Sequence, residues 1–294
     1  MKTKHYYIGK LYLQICLPEE MQMPENLGLF QVEEIPEGEE CITYTLEFTD
    51  QIVALAQKMK EKQMGTKTVN RENLHVFYTE TGECRFISHF GATEPFGITL
   101  QTGERQYHAW VTPETNELMI YDAVFNSLLS LEKHMIRKDS MILHSAYMCR
   151  EGEAVLFSAP SETGKSTQAG LWEKYRGTRT INGDRSLLYK HEDGWYAHGW
   201  PICGSSEICH NEAYPIKAVV MLRQAKENSI RPLKGIEALK QIMSQITINY
   251  WDSSFQMKAM DMIEDLMGEV PVYELGCDIS EQAVECLEKV LIEE

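Results

Sequence analysis

Ala154-Val-Leu-Phe-Ser-Ala-Pro-Ser-Glu-Thr-Gly-Lys-Ser-Thr167 is the stretch on which the reading of this sequence turns. An apolar run, Ala154–Ser158, enters a short proline-containing loop, and the loop opens into a helix-forming stretch from Gly164 to Arg176. Strand, tight loop and helix in that order build a phosphate cradle. Backbone N–H groups of the loop converge as a nest, and the positive end of the helix adds to the attraction. Gly164, Lys165 and Ser166 match the end of the pattern G-x-x-x-x-G-K-[ST], with Ala159 in place of the first glycine. Lys165 is expected to reach the β- and γ-phosphates and Ser166 to place its hydroxyl on Mg²⁺. The candidate nucleotide-binding set is Ser161, Glu162, Thr163, Gly164, Lys165, Ser166 and Thr167, and the expected ligands are ATP and Mg²⁺.

On either side lie two further candidates. Arg179-Thr-Ile-Asn-Gly-Asp184 ends in an acid suited to hold Mg²⁺ or to accept a hydroxyl proton. Asn-Gly-Asp is also good turn chemistry, so the segment alone does not decide between the two uses. Upstream, His144 lies in the apolar run Met141–Cys149, sharing a face with Ile142, Ala146 and Met148. A single strand histidine is more often a core residue than a catalyst, and it gains weight here because its strand immediately precedes the P-loop strand.

The bulk composition narrows the functional classes. The chain has 294 residues, 43% hydrophobic and 24% charged, an ordinary globular balance. A net charge of −16 without a Lys/Arg block argues against a nucleic-acid partner, because a polyanion needs clustered cations. No apolar run reaches membrane-spanning length, so no membrane association is expected. The eight cysteines form no C-x-x-C pair, which points to a reducing, cytoplasmic setting. Cys203, Cys209 and His210 come nearest to a ligand group, and read better as buried thiols beside a loop.

Residues 1–122 carry strand signals at Tyr6–Cys16, Cys41–Phe48, Leu74–Tyr78, Cys84–Phe90, Tyr107–Val111 and Leu118–Tyr121, with Thr112–Glu117 as a hairpin loop. One helix, Asp50–Lys62, interrupts them. This predicts a smaller β-rich N-terminal domain (α+β) for acceptor or partner recognition. Residues 123–294 alternate strands with helices, including predicted helices at Gly235–Tyr250, Ser253–Met267 and Ser280–Ile292 and a strand at Val270–Leu275. That alternation predicts an α/β C-terminal domain.

Taken together, Leu143-His144-Ser145-Ala146, the loop Ser161-Glu-Thr-Gly-Lys-Ser166 and Gly183-Asp184 resemble the C-terminal domain of HPr kinase/phosphorylase and its relatives of the phosphoenolpyruvate carboxykinase-like fold. The resemblance covers about residues 140–224. It implies that Lys165 and Ser166 bind triphosphate and Mg²⁺, that Asp184 is base or metal ligand, and that His144 borders the reacting phosphoryl group. Thus Asp184, His144 and Lys165 are the expected catalytic residues and Ser166 and Asp184 the expected metal ligands. Relatives have a Pro- and Gly-containing segment near His198–Glu207, so Gly204, Ser205 and Glu207 are candidate acceptor contacts, with Arg223 a candidate for neutralising phosphoryl charge. Two departures from the family pattern stand out. Gly183 replaces the first acid of an Asp-Asp pair, and Glu162 replaces a loop glycine.

The expected activity is transfer of the γ-phosphoryl group to a hydroxyl of a protein, peptide or small molecule, in a chain compatible with homo-oligomer formation. A nucleotide-binding regulatory or scaffold protein is the alternative that Gly183 and Glu162 motivate. A carboxykinase-like enzyme acting on a small carboxylate ranks last, and the fold-level rival is an ordinary P-loop NTPase.

Overall fold

The computed structural model describes residues 1–71 and 73–293, and the side chains of all of these except 66–71, 122, 123, 205 and 293. The chain is mixed α/β with two sheets, and it divides into two compact units, Met1–His134 and Met135–Glu294. Among the described residues no helix is long and apolar enough to cross a membrane.

The first unit contains β1 (Lys2–Ile8), β2 (Leu11–Leu17), β3 (Gln31–Val32), β4 (Cys41–Phe48), α1 (Ile52–Glu61), β5 (Met64–Arg71), β6 (Leu74–Tyr78), β7 (Glu83–Ser88), β8 (Pro95–Gly103), β9 (Gln106–Val111) and α2 (Asp122–Leu129). Its strands form one sheet in the order β3-β1-β2-β4-β9-β8-β7-β6-β5. The pairs β2–β4 and β4–β9 are parallel and the others antiparallel. The single strand predicted over Tyr6–Cys16 is instead a hairpin, because Gly9 adopts φ +61° and folds β1 back on β2. The strand predicted at Leu118–Tyr121 and its hairpin loop are absent. Pro113 pre-sets φ for a helix start, and Pro113–Ile120 forms a 3-10 helix. Helix α1 lays Ile52, Ala56 and Met59 against Phe77, Phe86 and Ile98 of the sheet.

A buried ionic network sits in this unit. Arg85, Glu83, Glu132 and Lys133 are each under one-tenth exposed. Arg85 meets Glu83 at 2.5 Å and Glu132 at 2.8 Å, and Lys133 lies 3.4 Å from Glu83. The two cations and two anions neutralise one another inside the fold. Helix α3 (Leu131–Arg137), whose first residues supply Glu132 and Lys133, follows a left-handed break at Ser130, φ +52°.

The second unit contains β10 (Ser140–Arg150), β11 (Glu153–Ser158), α4 (Lys165–Arg176), β12 (Arg179–Asn182), β13 (Arg185–His191), β14 (Gly194–Gly199), β15 (Ala213–Gln224), β16 (Ser229–Pro232), α5 (Gly235–Met243), α6 (Ser253–Glu269), β17 (Val272–Cys277) and α7 (Glu281–Glu293). Two long strands each serve two ladders. The first half of β10 pairs with β13 and the second half with β11 and β12. The start of β15 pairs with β14, and the rest lies parallel to β11 and β17. Burial of both faces explains the nearly continuous apolar runs of β11 and β15. On one face Leu156, Val219 and Met221 meet Ile242 of α5 and Phe255 and Ile263 of α6. On the other, Phe157, Val220 and Leu275 meet Trp172 of α4 and Val284 and Leu287 of α7.

The helix predicted over Gly235–Tyr250 stops at Met243. Beyond it the chain runs along β10, with His144 N–H donating to the Gln245 carbonyl and Thr247 N–H to the Ile142 carbonyl, both at 2.9 Å. Ile246, buried there, has more to gain in the core than as another helical turn.

Removing one partner of a buried ionic network leaves uncompensated charge, so Arg85→Ala is expected to cost about 3–5 kcal/mol in urea unfolding. Burial pushes the Glu83 carboxyl upward, but Arg85 and Lys133 outweigh it and hold the folded value below the ordinary one. The stability it contributes is therefore complete above its unfolded pKa and is lost as pH falls through the folded value. Glu83→Gln should unfold more easily than wild type at neutral pH, and the gap should close in acid.

Candidate functional site

The site is assembled where β10 leaves one ladder for the other. His144 is the last β10 residue paired with β13, and Ser145 the first paired with β11. Ser158, which ends β11, donates its hydroxyl to the His144 carbonyl at 2.8 Å and ties the end of β11 to the middle of β10. The 159–167 loop follows directly. Ala159 is buried in the apolar cluster under α4 and is not among the positive-φ residues, so a methyl group fits where the motif has glycine. Glu162 does adopt a left-handed φ of +64°, the conformation glycine favours, and its side chain is exposed. Gln224 donates to the carbonyls of Glu162 and Thr163 at 3.3 and 3.4 Å, which fastens the loop to the end of β15. Gly164, at φ +112°, turns the chain into α4.

Lys165 is 6% exposed, and its ammonium donates to the carbonyls of Ala159 at 3.1 Å and Pro160 at 3.4 Å. Burial lowers its pKa, Asp184 opposes that shift and Arg185 adds to it. Ser166 donates its hydroxyl to the Gly183 carbonyl at 3.1 Å, which brings the first turn of α4 to the acidic turn. Thr167 is exposed, with its Cβ at van der Waals distance from the place a side chain on Gly164 would take.

Asp184 lies between three cationic or protonatable groups. His144 Nε2 is 3.2 Å from its Oδ1, and Arg185 Nε is 3.5 Å from its Oδ2. Burial pushes its carboxyl up. The His144 hydrogen bond, together with the charges of Arg185, His144 and Lys165, overcomes this and holds it below the usual range. His144 Nδ1 lies 3.4 Å from Gln245 Oε1. The turn itself is made by Asn182, fully buried, whose Oδ1 accepts from the N–H groups of Asp184 at 3.0 Å and Arg185 at 2.9 Å. Asn182 Nδ2 donates to the carbonyl of Trp200 at 2.7 Å.

The structure also gives a reason for Gly183. A Cβ there would fall 1.9 Å from Ser206 Oγ and 2.3 Å from Ser206 Cβ, because the 3-10 turn Gly204–Ser206 packs on it. Gly204, at φ +59°, in turn approaches Asp184 so closely that its own Cβ would lie 3.0 Å from the carboxyl carbon. The space a side chain at position 183 would need is thus filled by Ser206.

His144, Lys165, Ser166 and Asp184 therefore come together, and Gly204 borders them. Glu207 is exposed at φ +57°, and the Ser205 side chain lies outside the described residues. Arg223 is not brought to this group. It is exposed and pairs with Glu274 at 3.6 Å. Cys209 donates to the Trp200 carbonyl, and burial pushes its thiol up to about 12. Asn182, Arg185, Gln245 and Thr247 are part of the site without having been singled out in the sequence. Ser166 and Asp184 supply the oxygen donors that suit Mg²⁺, which usually takes one or two carboxylates and completes its shell with water and phosphate.

Residues 109–292 match the family model described as SynChlorMet cassette protein ScmC. No curated protein matches the chain in sequence. Among solved structures it is similar to the Hpr(Ser) kinase/phosphatase from Coxiella burnetii, at 10% identity over 52% of this chain and 88% of that one, with a TM-score of 0.30. A likeness that slight bears on neither activity nor substrate.

Overpacking a site of this kind costs about 1–3 kcal/mol. Gly183→Ala is expected to lose that much in urea unfolding, and Ser206→Gly to restore most of it in the double variant. A double-mutant cycle with no coupling between the two positions would contradict the packing described.

Proposed function

The chain belongs to the ScmC family, whose model spans more than half of its length, and we propose that its P-loop site is that of an ATP- and Mg²⁺-dependent phosphotransferase of the HPr-kinase-like type. The acceptor is a hydroxyl of a protein, peptide or small molecule, and the setting is cytoplasmic. One observation carries this reading. Ser166 of the loop reaches the Gly183 carbonyl at 3.1 Å, which sets the phosphate cradle beside Asp184 and its partner His144. The connection of the strands supports the same type over an ordinary P-loop NTPase. The P-loop strand β11 is the second arm of an antiparallel hairpin whose first arm, β10, carries His144.

In this reading the N–H groups at the start of α4 and the Lys165 ammonium hold the β- and γ-phosphates. Mg²⁺, when bound, would neutralise phosphate charge, and Ser166 and Asp184 are the residues that would hold it. His144 orients Asp184, whose carboxylate takes the proton of the acceptor hydroxyl. The acceptor oxygen forms a bond to Pγ, the bond from Pγ to the β,γ-bridging oxygen breaks, and its electron pair leaves with ADP. The net charge of −16 makes a nucleic acid an unsuitable acceptor.

Ser206 in the place of a second carboxylate favours one other reading, a nucleotide-binding protein that transfers nothing. The two separate in a labelling experiment with γ-³²P-ATP, Mg²⁺ and an extract of the native source. Label on an acceptor, reduced about a hundredfold or more by Lys165→Ala or Asp184→Asn in folded protein, is the expected result; loss of a general base typically costs about 10²–10⁴. Saturable ATP binding with no labelled acceptor supports the non-catalytic reading, and full activity of Asp184→Asn removes Asp184 from the chemistry.

A further inference from the structure

A cavity of about 490 Å³ opens in the first unit, beside the last turn of α1 and over the hairpin of β6 and β7. Its size is that of a small-molecule site. Its described lining belongs wholly to this unit and includes no residue of the candidate nucleotide site. His75 of β6 and Phe86 of β7 stand directly opposite in register, so their side chains share one face of the sheet. That is the face on which α1 lays Met59 against Phe86. The His75 ring meets Phe77 and Phe86 edge-on, with centroids 5.7 and 5.8 Å away, and these two contacts fix its orientation.

Two features of this cavity are unmatched within the protein. His75 Nε2 is withdrawn from water and has no hydrogen-bond partner among the described residues. Most buried polar atoms in a folded protein are paired, so an orphan lining a cavity calls for a partner from outside. Burial and the Lys60 charge both lower the His75 pKa, so the ring is neutral and carries one N–H and one acceptor nitrogen. The second feature is Lys60 itself. Its ammonium lies 5.8 Å from the centre of the Phe86 ring, and among the described residues it pairs with no carboxylate. No described residue of the lining is acidic. One cation without a counter-charge, beside Phe86 and Pro95 as apolar wall and Ser88 and Thr93 as hydroxyls, suits an anion with an apolar body. A lone ammonium is a point charge without the fork of a guanidinium, and it balances a single carboxylate better than a phosphate dianion.

We infer that this cavity binds a small carboxylate with an apolar body, its charge met by Lys60, its hydrogen bond by His75 and its body by Phe86 and Pro95. A free organic acid and the C-terminal residue of a peptide with an apolar side chain share that chemistry. The site owes nothing to the nucleotide reading of the second unit, and either can fail without the other.

Calorimetric titration of the full chain, without nucleotide, tests this with hydrocinnamate, its uncharged amide and acetate. Hydrocinnamate is expected to bind saturably. The amide, which lacks the charge, and acetate, which lacks the body, should each bind about tenfold more weakly or worse. Lys60→Gln changes an exposed helix residue to another good helix former, so the fold is kept, and should weaken hydrocinnamate about tenfold. His75→Phe keeps a ring and removes the orphan nitrogen, and should weaken it about fivefold. A short peptide ending in a phenylalanine carboxylate, compared with the same peptide amidated, separates the two sources. Tighter binding of the free-carboxylate peptide than of hydrocinnamate assigns the site to a chain end, and binding of hydrocinnamate alone assigns it to a small acid. No saturation by hydrocinnamate or the peptide below about 10 mM overturns the site. Equal binding of acid and amide, or affinities that both variants leave unchanged, also overturns it.

Discussion

The candidate site depends on one buried carboxamide. Asn182 has no contact with solvent, and each end of its side chain is committed. Its oxygen accepts from the backbone N–H groups of Asp184 and Arg185, and its nitrogen donates to the Trp200 and Ile202 carbonyls. A buried amide left half-paired costs on the order of 1–3 kcal/mol, so the turn has little freedom to open. From that fixed turn the Gly183 carbonyl meets Ser166, the Asp184 carbonyl accepts from Ser145 N–H, and the Asp184 carboxylate meets His144. The loop follows the end of β11, the acid lies between β12 and β13 and the histidine lies within β10, and the Asn182 turn is where they are joined.

The rest of the second unit presents those strand ends in register. β10 and β15 each divide their pairing between two ladders, and His144 stands where the two ladders of β10 part. In α/β sheets such divergence points are where ligands find room outside the strand ends. The parallel core of β11, β15 and β17, covered by helices on both faces, gives the loop a rigid base. Gln224 at the end of β15 holds the loop carbonyls, and Gln168 of α4 donates to the Asp278 carbonyl just beyond β17. The 159–167 loop and the start of α4 are therefore fixed to their neighbouring strands on either side.

Much of this was legible in the sequence, and the exceptions have physical causes. Strand–loop–helix around Lys165 is a local pattern, and so is the hairpin that precedes it, so both are readable from neighbouring residues. Gly183 stood out as a departure, but its reason lies in Ser206, a residue that only the folded chain brings near. Arg185 and Gln245 likewise acquire meaning from partners far along the chain, Thr247 and His144. The apolar stripe from Ile236 to Tyr250 keeps helical spacing past Met243, and periodicity does not record that the free edge of β10 competes for Ile246. In the first unit Gly9 and Pro113 did carry the signals for a hairpin and a helix start, each in one residue set against a stronger strand pattern around it.

The proposed site has the start of α4 holding phosphates and Ser166 and Asp184 holding Mg²⁺ between them. A crystal structure of the chain with Mg²⁺ and AMP-PNP measures this directly. The β- and γ-phosphates are expected against the N–H groups of Gly164, Lys165 and Ser166, with the metal bound to the Ser166 hydroxyl and the Asp184 carboxylate. Nucleotide bound away from the 159–167 loop, or a metal held without Asp184, would contradict it.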